Sequence, residues 1–556
     1  MTGTSIVREQ RTVGTDEVAS EVIPRGLLPL VVLTAGMTTM GTQMAASRLL
    51  APFFGQSILV WANLIGLMLI YLSVGYWWGG RLADRWPTAG ALGLVAFGAA
   101  VTIAIVPFAA APVLGIASGG VDALSAGAVL GSFVGTLLLF AVPVTLLGMV
   151  PPFAIRLAMH RVQEAGQVAG ALYALSTVGS IIGTFGSVLV LIPMIGTRRT
   201  LLTCAFLLCL LATIAMRQRW MGMVALLAIA AMFALPVGTV RAADGSEVIF
   251  EQESRYQFVQ VTERPDGRRM LQLNEGWAVH SIYDPESVVT WGIWDHFVLL
   301  RGLVRDPGVG ADAPVRTDGA GQARPLRMLM VGNAGGSAAR AYRELVPEVQ
   351  VDGVEIDPLV TEVGSRYFDM DGDNLTVHAA DGRPFLARTP GPWEIILVDA
   401  YRQPYIPFYL TTREFFSLVA ERLAPGGVLA INVGSTPGDD RIREAISGTM
   451  RTVFPSVFHY RAESFNEVVL AFAEPVSDAE VRERYARFVA QLTGGSVLEP
   501  HEQQRFDRIR AGMEVSLEEV ARPARGRDVL RDDRAPIEWI TDSMIVDFAT
   551  EDVSRP

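Results

Sequence analysis

The first feature of the sequence that could carry chemistry is a glycine-rich turn followed by a single acid. The apolar run Met328–Val331 precedes Gly332, Gly335 and Gly336, and Glu355 ends the next apolar run about twenty residues later. Glycines permit a sharp turn that brings backbone N–H groups against a ligand at a helix start. A carboxylate after the second strand is suited to bind the two ribose hydroxyls. The pattern predicts a nucleoside site, with an ordinary βαβ unit as the alternative.

The elements that position these residues follow from the hydrophobic pattern. Apolar strands are predicted near 327–331, 349–354, 375–379, 394–398 and 427–433, with helices between them. This alternation predicts a doubly wound, Rossmann-like α/β domain over 325–548. Residues 247–283 alternate as β-strands with a hairpin turn at Pro265–Gly267, and an aromatic-rich helix is expected over 285–303. Residues 246–304 are therefore predicted to form a small β-hairpin subdomain, and 305–324 form a Gly/Ala/Asp/Pro linker.

The first half of the chain has a different composition. Half of the 556 residues are hydrophobic, and the apolar segments concentrate between 26 and 240, after a polar tail at 1–25 that we expect to be disordered. We predict a polytopic α-helical membrane domain with about seven spans, each near the roughly 20 residues that cross a bilayer. These spans are about 27–47, 57–79, 89–110, 125–150, 168–195, 200–216 and 220–239.

The arginines of the apolar half collect in three short loops. These are Arg81–Arg85, Arg156–Arg161 and Arg217–Arg219, which the positive-inside rule places in the cytoplasm. Seven spans would then leave the C-terminal domain outside the cell, whereas nucleoside cosubstrates are found inside. We expect a multi-pass protein of the cell membrane with a cytoplasmic catalytic domain, so either one apolar segment does not cross or another lies undetected between 89 and 150.

The charge and the cysteine content exclude several classes of function and of binding site. The net charge is −11 and the chain has no lysine, which excludes a basic nucleic-acid surface and Schiff-base or P-loop chemistry. Cys204 and Cys209 share one apolar segment, so neither a disulfide framework nor a zinc site is expected.

Several ordered motifs resemble one family. Ser254–Gln257, Leu271–Gly276, Val354–Pro358, His378–Arg383 and Ile396–Ala400 resemble the spermidine synthase (polyamine aminopropyltransferase) family over about residues 247–475. The apolar helices ahead of the domain, with Ile406–Phe416 and Asp532–Pro536, resemble its bacterial membrane-fused branch. The resemblance implies a transferase of polyamine biosynthesis that uses S-adenosylmethionine or its decarboxylated form as cosubstrate, without a metal.

The resemblance also implies roles for individual residues. Glu355 would bind the ribose, Asp381 and Gly382 would flank the adenine, and Gly332 and Gly336 of the glycine turn would also bind the cosubstrate. Asp399 would be the catalytic aspartate that orients or deprotonates the acceptor amine, and Tyr256 and Gln257 would close over the substrates. Simple turn residues at Asp381 and Asp399 and a core aromatic at Tyr256 are the alternatives. The substrate-binding candidates are Glu275, Tyr401 and Gln403.

The sequence departs from the family pattern at two acids. Gly335 replaces the aspartate that grips the amino end of the decarboxylated donor, and Arg402 or Gln403 replaces an aspartate that holds the diamine. Glu275 could substitute in part for the missing acids.

We predict aminopropyl transfer to an amine with release of methylthioadenosine. The alternatives are a methyl- or aminocarboxypropyl-transferase or cleaving enzyme that uses S-adenosylmethionine, and a transporter with a nucleoside-sensing domain. A small-molecule amine and the lipid bilayer are the expected partners, without nucleic acid and with a homodimer left open.

Overall fold

The computed structural model describes residues 26–553 apart from nine gaps. The gaps are 55–57, 120–126, 160, 217, 236–245, 275–277, 306–324, 403–404 and 496–497. The predicted disordered tail, nearly all of the linker, and two predicted substrate-binding residues, Glu275 and Gln403, lie outside the described residues.

The N-terminal half consists of helices. These are α1 (Leu27–Phe54), α2 (Ile58–Arg85), α3 (Ala89–Gly119), α4 (Gly127–Ala158), α5 (Ala165–Gly186), α6 (Ile192–Ala215) and α7 (Arg219–Met232), with a π-helical segment at Ser187–Leu191. We call these helices the helical unit. The predicted interval 89–150 contains α3 and the first part of α4, on either side of the undescribed residues 120–126.

Five stretches of the described chain are long and apolar enough to cross a membrane, by length and composition. The last of them, Val162–Ala215, contains both α5 and α6, and it is kinked within α6 at Gly196, where φ is +79°. Helix α7 is apolar but only 14 residues long. The described residues of the seven predicted segments are mainly helical, and they fall into five candidate spans plus one shorter helix.

Small residues allow the helices to pack closely. A β-carbon at Gly179 would lie 2.0 Å from the Leu33 carbonyl oxygen, and one at Gly183 would lie 2.1 Å from that of Met37. The backbones of α1 and α5 are therefore in direct contact, which is the packing role expected of small residues in apolar helices.

The C-terminal half begins with a small sheet. Strands β1 (Glu247–Glu253), β2 (Phe258–Glu263), β3 (Arg269–Leu273) and β4 (Val279–Tyr283) pair antiparallel in chain order. The predicted hairpin turn lies between β2 and β3, with Gly267 at a φ of +81°. An expected helix over 285–303 is reduced to two short helices, α8 (Trp294–Val298) and α9 (Leu300–Leu303), which pack into the core of the larger domain.

The larger domain is an eight-stranded mixed sheet. Its parallel strands are β5 (Leu326–Val331), β6 (Val349–Glu355), β7 (Leu375–Ala379), β8 (Trp393–Val398) and β9 (Leu423–Gly434). Strands β10 (Ser456–Glu463), β11 (Asn466–Phe472) and β12 (Glu518–Glu519) are antiparallel and extend one edge, giving the order β12-β10-β11-β9-β8-β5-β6-β7. The five predicted strands are confirmed, whereas the antiparallel extension was not predicted.

Helices cover both faces of this sheet. They are α10 (Ser337–Leu345), α11 (Pro358–Tyr367), α12 (Gly382–Arg388), α13 (Arg413–Arg422), α14 (Arg441–Met450), α15 (Asp478–Thr493), α16 (Pro500–Ser516) and α17 (Ile537–Val553). Alternate residues of the strands enter two separate apolar cores, with Met328 and Met330 in one and Leu329 and Val331 in the other. The strand order reverses between β5 and β8, and in such sheets this is the point where ligands bind beyond the carboxyl ends.

The two halves meet at one end of the helical unit. Glu253 at the end of β1 accepts hydrogen bonds from the Thr197 backbone N–H at 2.8 Å and from its hydroxyl at 2.5 Å. Arg48, near the end of α1, donates to the carbonyl oxygen of Arg255. At the opposite end Arg156 of α4 pairs with Asp84 of α2 at 3.1 Å. The described arginine-bearing loops therefore lie at the end of the helices remote from the C-terminal domain.

Candidate functional site

A cavity of about 400 Å³ lies beyond the carboxyl ends of β5, β6, β7 and β8. Eight of the predicted site residues line it: Tyr256, Gln257, Gly332, Glu355, Asp381, Gly382, Asp399 and Tyr401. We call it the nucleoside cavity. The structure thus brings together residues from five separate segments, at the edge of the sheet that the glycine turn predicted.

Glu355 ends β6 inside this cavity and is only 7% exposed. One carboxylate oxygen accepts from the Ala334 N–H at 3.0 Å, and the other accepts from the Asp357 N–H at 3.0 Å. Burial raises the pKa of Glu355 to about 7, although these backbone hydrogen bonds oppose the rise. A ligand that donates two hydroxyls to this carboxylate would stabilise its charged form.

Asp381 caps the N-terminus of α12, where it accepts from the Arg383 N–H at 3.2 Å. Its second oxygen accepts from the Tyr409 hydroxyl at 3.1 Å. Next to it, a β-carbon at Gly382 would come within 2.3 Å of the Val331 side chain. Asp381 therefore caps a helix, as expected of a turn residue, and its carboxylate also lines the nucleoside cavity.

The turn after β5 depends on Gly332. Its φ is +92°, and a β-carbon there would lie 2.4 Å from the carbonyl oxygen of Asp399. The Asp399 N–H in turn donates to the Val331 carbonyl at 2.8 Å. The two strand ends that carry the glycine turn and the aspartate are thus in backbone contact.

Asp399 is held by a chain of amide side chains. Its Oδ1 accepts from Asn432 Nδ2 at 2.8 Å, and Asn432 Oδ1 accepts from Asn466 Nδ2 at 3.0 Å. Burial raises the pKa of Asp399 to about 7, and the hydrogen bond from Asn432 lowers it in part. Tyr401 is fixed beside it, because its hydroxyl donates to the Asn432 carbonyl at 2.9 Å and accepts from the Gly434 N–H at 2.6 Å.

A second cavity of about 400 Å³ adjoins the first. His280, Ala334, Asp399 and Tyr401 line both cavities, so Asp399 stands on their common wall. The far part of the second cavity is formed by α17 and by the loop at Phe465. We call it the acceptor cavity, because it opens from the same carboxylate on the side away from Glu355.

The segment Ser254–Gln257 is fixed to the end of β6. The Ser254 hydroxyl donates to Asp357 Oδ2 at 2.6 Å and accepts from the N–H groups of Tyr256 and Gln257 at 2.9 and 3.0 Å. Tyr256 lines the cavity with 43% of its surface exposed, so it is not a core aromatic. This geometry is suited to covering a nucleoside bound at Glu355.

Four further positions singled out in the sequence do not line the nucleoside cavity or lie outside the described residues. Gly336, predicted to bind the cosubstrate, is the N-cap residue of α10 with a φ of +86°, and a β-carbon there would come within 2.2 Å of the Met370 side chain. The Gly335 N–H donates to the Ser281 hydroxyl at 2.9 Å, so this part of the turn is occupied by protein. Glu275 and Gln403 are not among the described residues.

Asn432 and Arg48 belong to the site and were not predicted from the sequence. Asn432 is a polar residue within the apolar strand β9, and that position alone could have marked it. Arg48 belongs to α1, yet it lines the nucleoside cavity with Arg255 and Arg402. Its position follows from the docking of the two halves, for which the local sequence gives no signal.

Within the described residues, no group of three or more His, Cys, Asp or Glu side chains could hold a metal ion.

Comparison with known proteins agrees with this geometry. A family model described as the spermine/spermidine synthase domain matches residues 320–464, which include Glu355, Asp381 and Asp399. The chain is 28% identical over 184 residues to the eEF1A lysine and N-terminal methyltransferase of Mus musculus, across 29% of this chain and 26% of that protein.

Two bacterial relatives are more similar. The chain is 30% identical over 319 residues to a probable polyamine aminopropyl transferase of Bifidobacterium longum, across 55% of this chain and 65% of that protein's length. It is 31% identical over 254 residues to the polyamine aminopropyltransferase of Vibrio vulnificus, across 44% of this chain and 78% of that protein. On the strength of these matches and of the site geometry, the chain belongs to the spermine/spermidine synthase family.

Proposed function

We propose that this protein is an aminopropyltransferase that uses decarboxylated S-adenosylmethionine as donor and a primary amine as acceptor. The observation that carries the proposal is the position of Asp399 on the wall shared by the two cavities. A donor held through its ribose by Glu355 would extend its sulfonium toward this wall. An amine in the acceptor cavity would then meet it beside the Asp399 carboxylate.

The chemistry needs positioning and one proton acceptor. The amine nitrogen attacks the donor carbon bonded to the sulfonium sulfur, and a C–N bond forms as the C–S bond breaks. The bonding electrons return to sulfur, which leaves as the neutral thioether methylthioadenosine. The Asp399 carboxylate orients the amine and takes its proton, and Asn432 keeps that carboxylate in place.

A second candidate uses S-adenosylmethionine itself for methyl or aminocarboxypropyl transfer. The observation that favours it is Gly335, which stands where the family carries an acid for the donor's amino end and whose N–H is bonded to Ser281. The similarity to a protein named as a methyltransferase points in the same direction.

We also propose that the helical unit anchors the protein in the membrane, since it holds five candidate spans. The catalytic domain would face the cytoplasm, where the nucleoside donor is found. This placement puts the arginine-bearing loops outside, the reverse of the positive-inside rule, because they lie at the opposite end of the helices.

The first prediction concerns the nucleoside product. The purified protein is incubated with an amine panel and either donor, and the nucleosides are identified by mass spectrometry. We expect methylthioadenosine from the decarboxylated donor. Asp399→Asn should lower the rate about 100-fold or more, because a positioned base contributes roughly 10²–10⁴-fold. Asp266→Asn, at an exposed turn, is the matched control. S-adenosylhomocysteine from S-adenosylmethionine would instead establish methyl transfer.

The second prediction concerns pH. Because burial raises the pKa of Asp399 to about 7, its carboxyl is protonated below that pH and ionised above it. We expect kcat/KM to fall about tenfold for each pH unit below 7, or more steeply, since the pKa of Glu355 is also raised to about 7. Steady-state rates from pH 5.5 to 8.5 measure this limb. In the Glu355→Gln variant the fall in kcat/KM that is due to protonation of Asp399 should remain. A wild-type kcat/KM that does not change with pH would contradict the role of Asp399 as proton acceptor.

The third prediction concerns the membrane. In a background of Cys204→Ala and Cys209→Ala, single Val162→Cys and Val515→Cys variants place a thiol at either end, since these side chains are 82% and 88% exposed. Intact cells are treated with a membrane-impermeant maleimide. We expect labelling of the Val162→Cys variant before permeabilisation and of the Val515→Cys variant only afterwards. The reverse pattern would place the catalytic domain outside.

A further inference from the structure

The acceptor cavity has an unequal distribution of charge. Among the described residues that line it, Asp399 is the only carboxylate, and it lies at the end that adjoins the nucleoside cavity. The remaining polar groups are neutral side chains: Tyr401, Asn432, Ser435, Thr436, Asn466 and Thr541. Burial lowers the pKa of His280 to about 4, so this side chain is also neutral at physiological pH.

The far wall of the cavity is apolar. It is formed by Ile293, Trp294, Phe465, Met544 and Ile545. Trp294 and Met544 are 8% and 2% exposed, whereas Phe465 and Ile545 are 53% and 40% exposed. The wall therefore runs from a buried base to an open apolar rim, which would desolvate an alkyl or aryl group along its length.

The carboxylates of α17 that lie close to this wall do not line the acceptor cavity. Asp542, one residue after Thr541, accepts a hydrogen bond from the Tyr405 hydroxyl. Asp547 pairs with Arg441, and Glu538 lines the nucleoside cavity. The side chains that α17 presents to the acceptor cavity are thus a hydroxyl, a thioether and an isoleucine.

The cation next to the cavity is already paired. Arg461 donates to the Ser435 hydroxyl at 2.7 Å and pairs with Glu467 at 2.6 Å. A second ammonium group inside the cavity would leave water for neutral side chains, without a second carboxylate among the described residues that line the cavity. Desolvating a charge without an opposite partner is costly, so such an acceptor would bind weakly.

We infer that the acceptor is a primary monoamine with an apolar body, whose amine lies at Asp399 and whose body lies against Trp294, Met544 and Ile545. The inference rests on the proposed function and names its substrate class. The proposed acceptor is not a diamine, because the two charges of a diamine would need an anion at each end of the cavity. Glu275 lies outside the described residues, close in sequence to Ala278 of the wall, and is therefore included in the test.

The experiment compares amines of equal length that differ in one charge. Rates of methylthioadenosine release from the decarboxylated donor are measured with n-butylamine against 1,4-diaminobutane, and with n-hexylamine against 1,6-diaminohexane. We expect kcat/KM for each monoamine to exceed that of its diamine about tenfold or more, because an unpaired buried charge costs more than one charge-assisted contact returns. Calorimetric binding of the same amines to the protein with methylthioadenosine present should give the same order.

Variants at the rim test the wall directly. Ile545→Glu places a carboxylate at the far end, on a side chain exposed enough to accept it, and should reverse the preference toward the diamine. Ile545→Gln, of similar shape but neutral, should keep the preference for the monoamine.

Failure of this inference can be distinguished from failure of the proposed function. A wild-type preference for diamines in rate and in binding overturns this inference and leaves aminopropyl transfer intact. A diamine preference that Glu275→Gln removes identifies Glu275 as the second anion and also overturns it. If neither donor yields methylthioadenosine with any amine, and the amines do not bind, the proposed function fails and this inference fails with it.

Discussion

Two carboxylates buried at one edge of a parallel sheet are the constraint on which the site depends. Glu355 and Asp399 each lose hydration, and burial raises both pKa values to about 7. The protein compensates them only in part, through two backbone N–H groups for Glu355 and one amide of Asn432 for Asp399. Under the proposed function, the ribose hydroxyls of the donor at Glu355 and the acceptor amine at Asp399 would complete the compensation. The site is therefore built to favour charge brought by substrate.

The helical unit takes part in this arrangement. The bonds between Glu253 and Thr197 fix the small sheet to the start of the second helix of the α5–α6 pair, and Arg48 reaches from α1 into the wall of the nucleoside cavity. The segment that covers the cavity, Ser254–Gln257, immediately follows Glu253 in the chain. Ser254–Gln257 is therefore held between the helical unit and the residues that follow β6.

The features that follow from local pattern were predictable from the sequence. Strands β5 and β8 have buried residues on both faces, so they appear as continuous apolar runs. Glu355, Asp381 and Asp399 are the polar residues at or just after the carboxyl ends of β6, β7 and β8. The features that depend on contacts between distant segments were not predictable. Arg48 precedes the cavity residues by about two hundred positions. The amide relay from Asn466 to Asp399 needs the antiparallel pairing of β9 and β11, which a run of apolar residues does not specify.

The most direct test of the account is whether the buried Glu355 carboxylate binds the nucleoside. Calorimetric titration of methylthioadenosine into the wild-type protein and into Glu355→Gln, at pH 8, measures this contact without any turnover. We predict a roughly 10- to 100-fold higher Kd for the variant, since hydrogen bonds to a charged group contribute about 1.5–3 kcal/mol. Equal affinities for the two proteins, with the variant folded as shown by its melting temperature, would contradict the assignment of this cavity to the nucleoside.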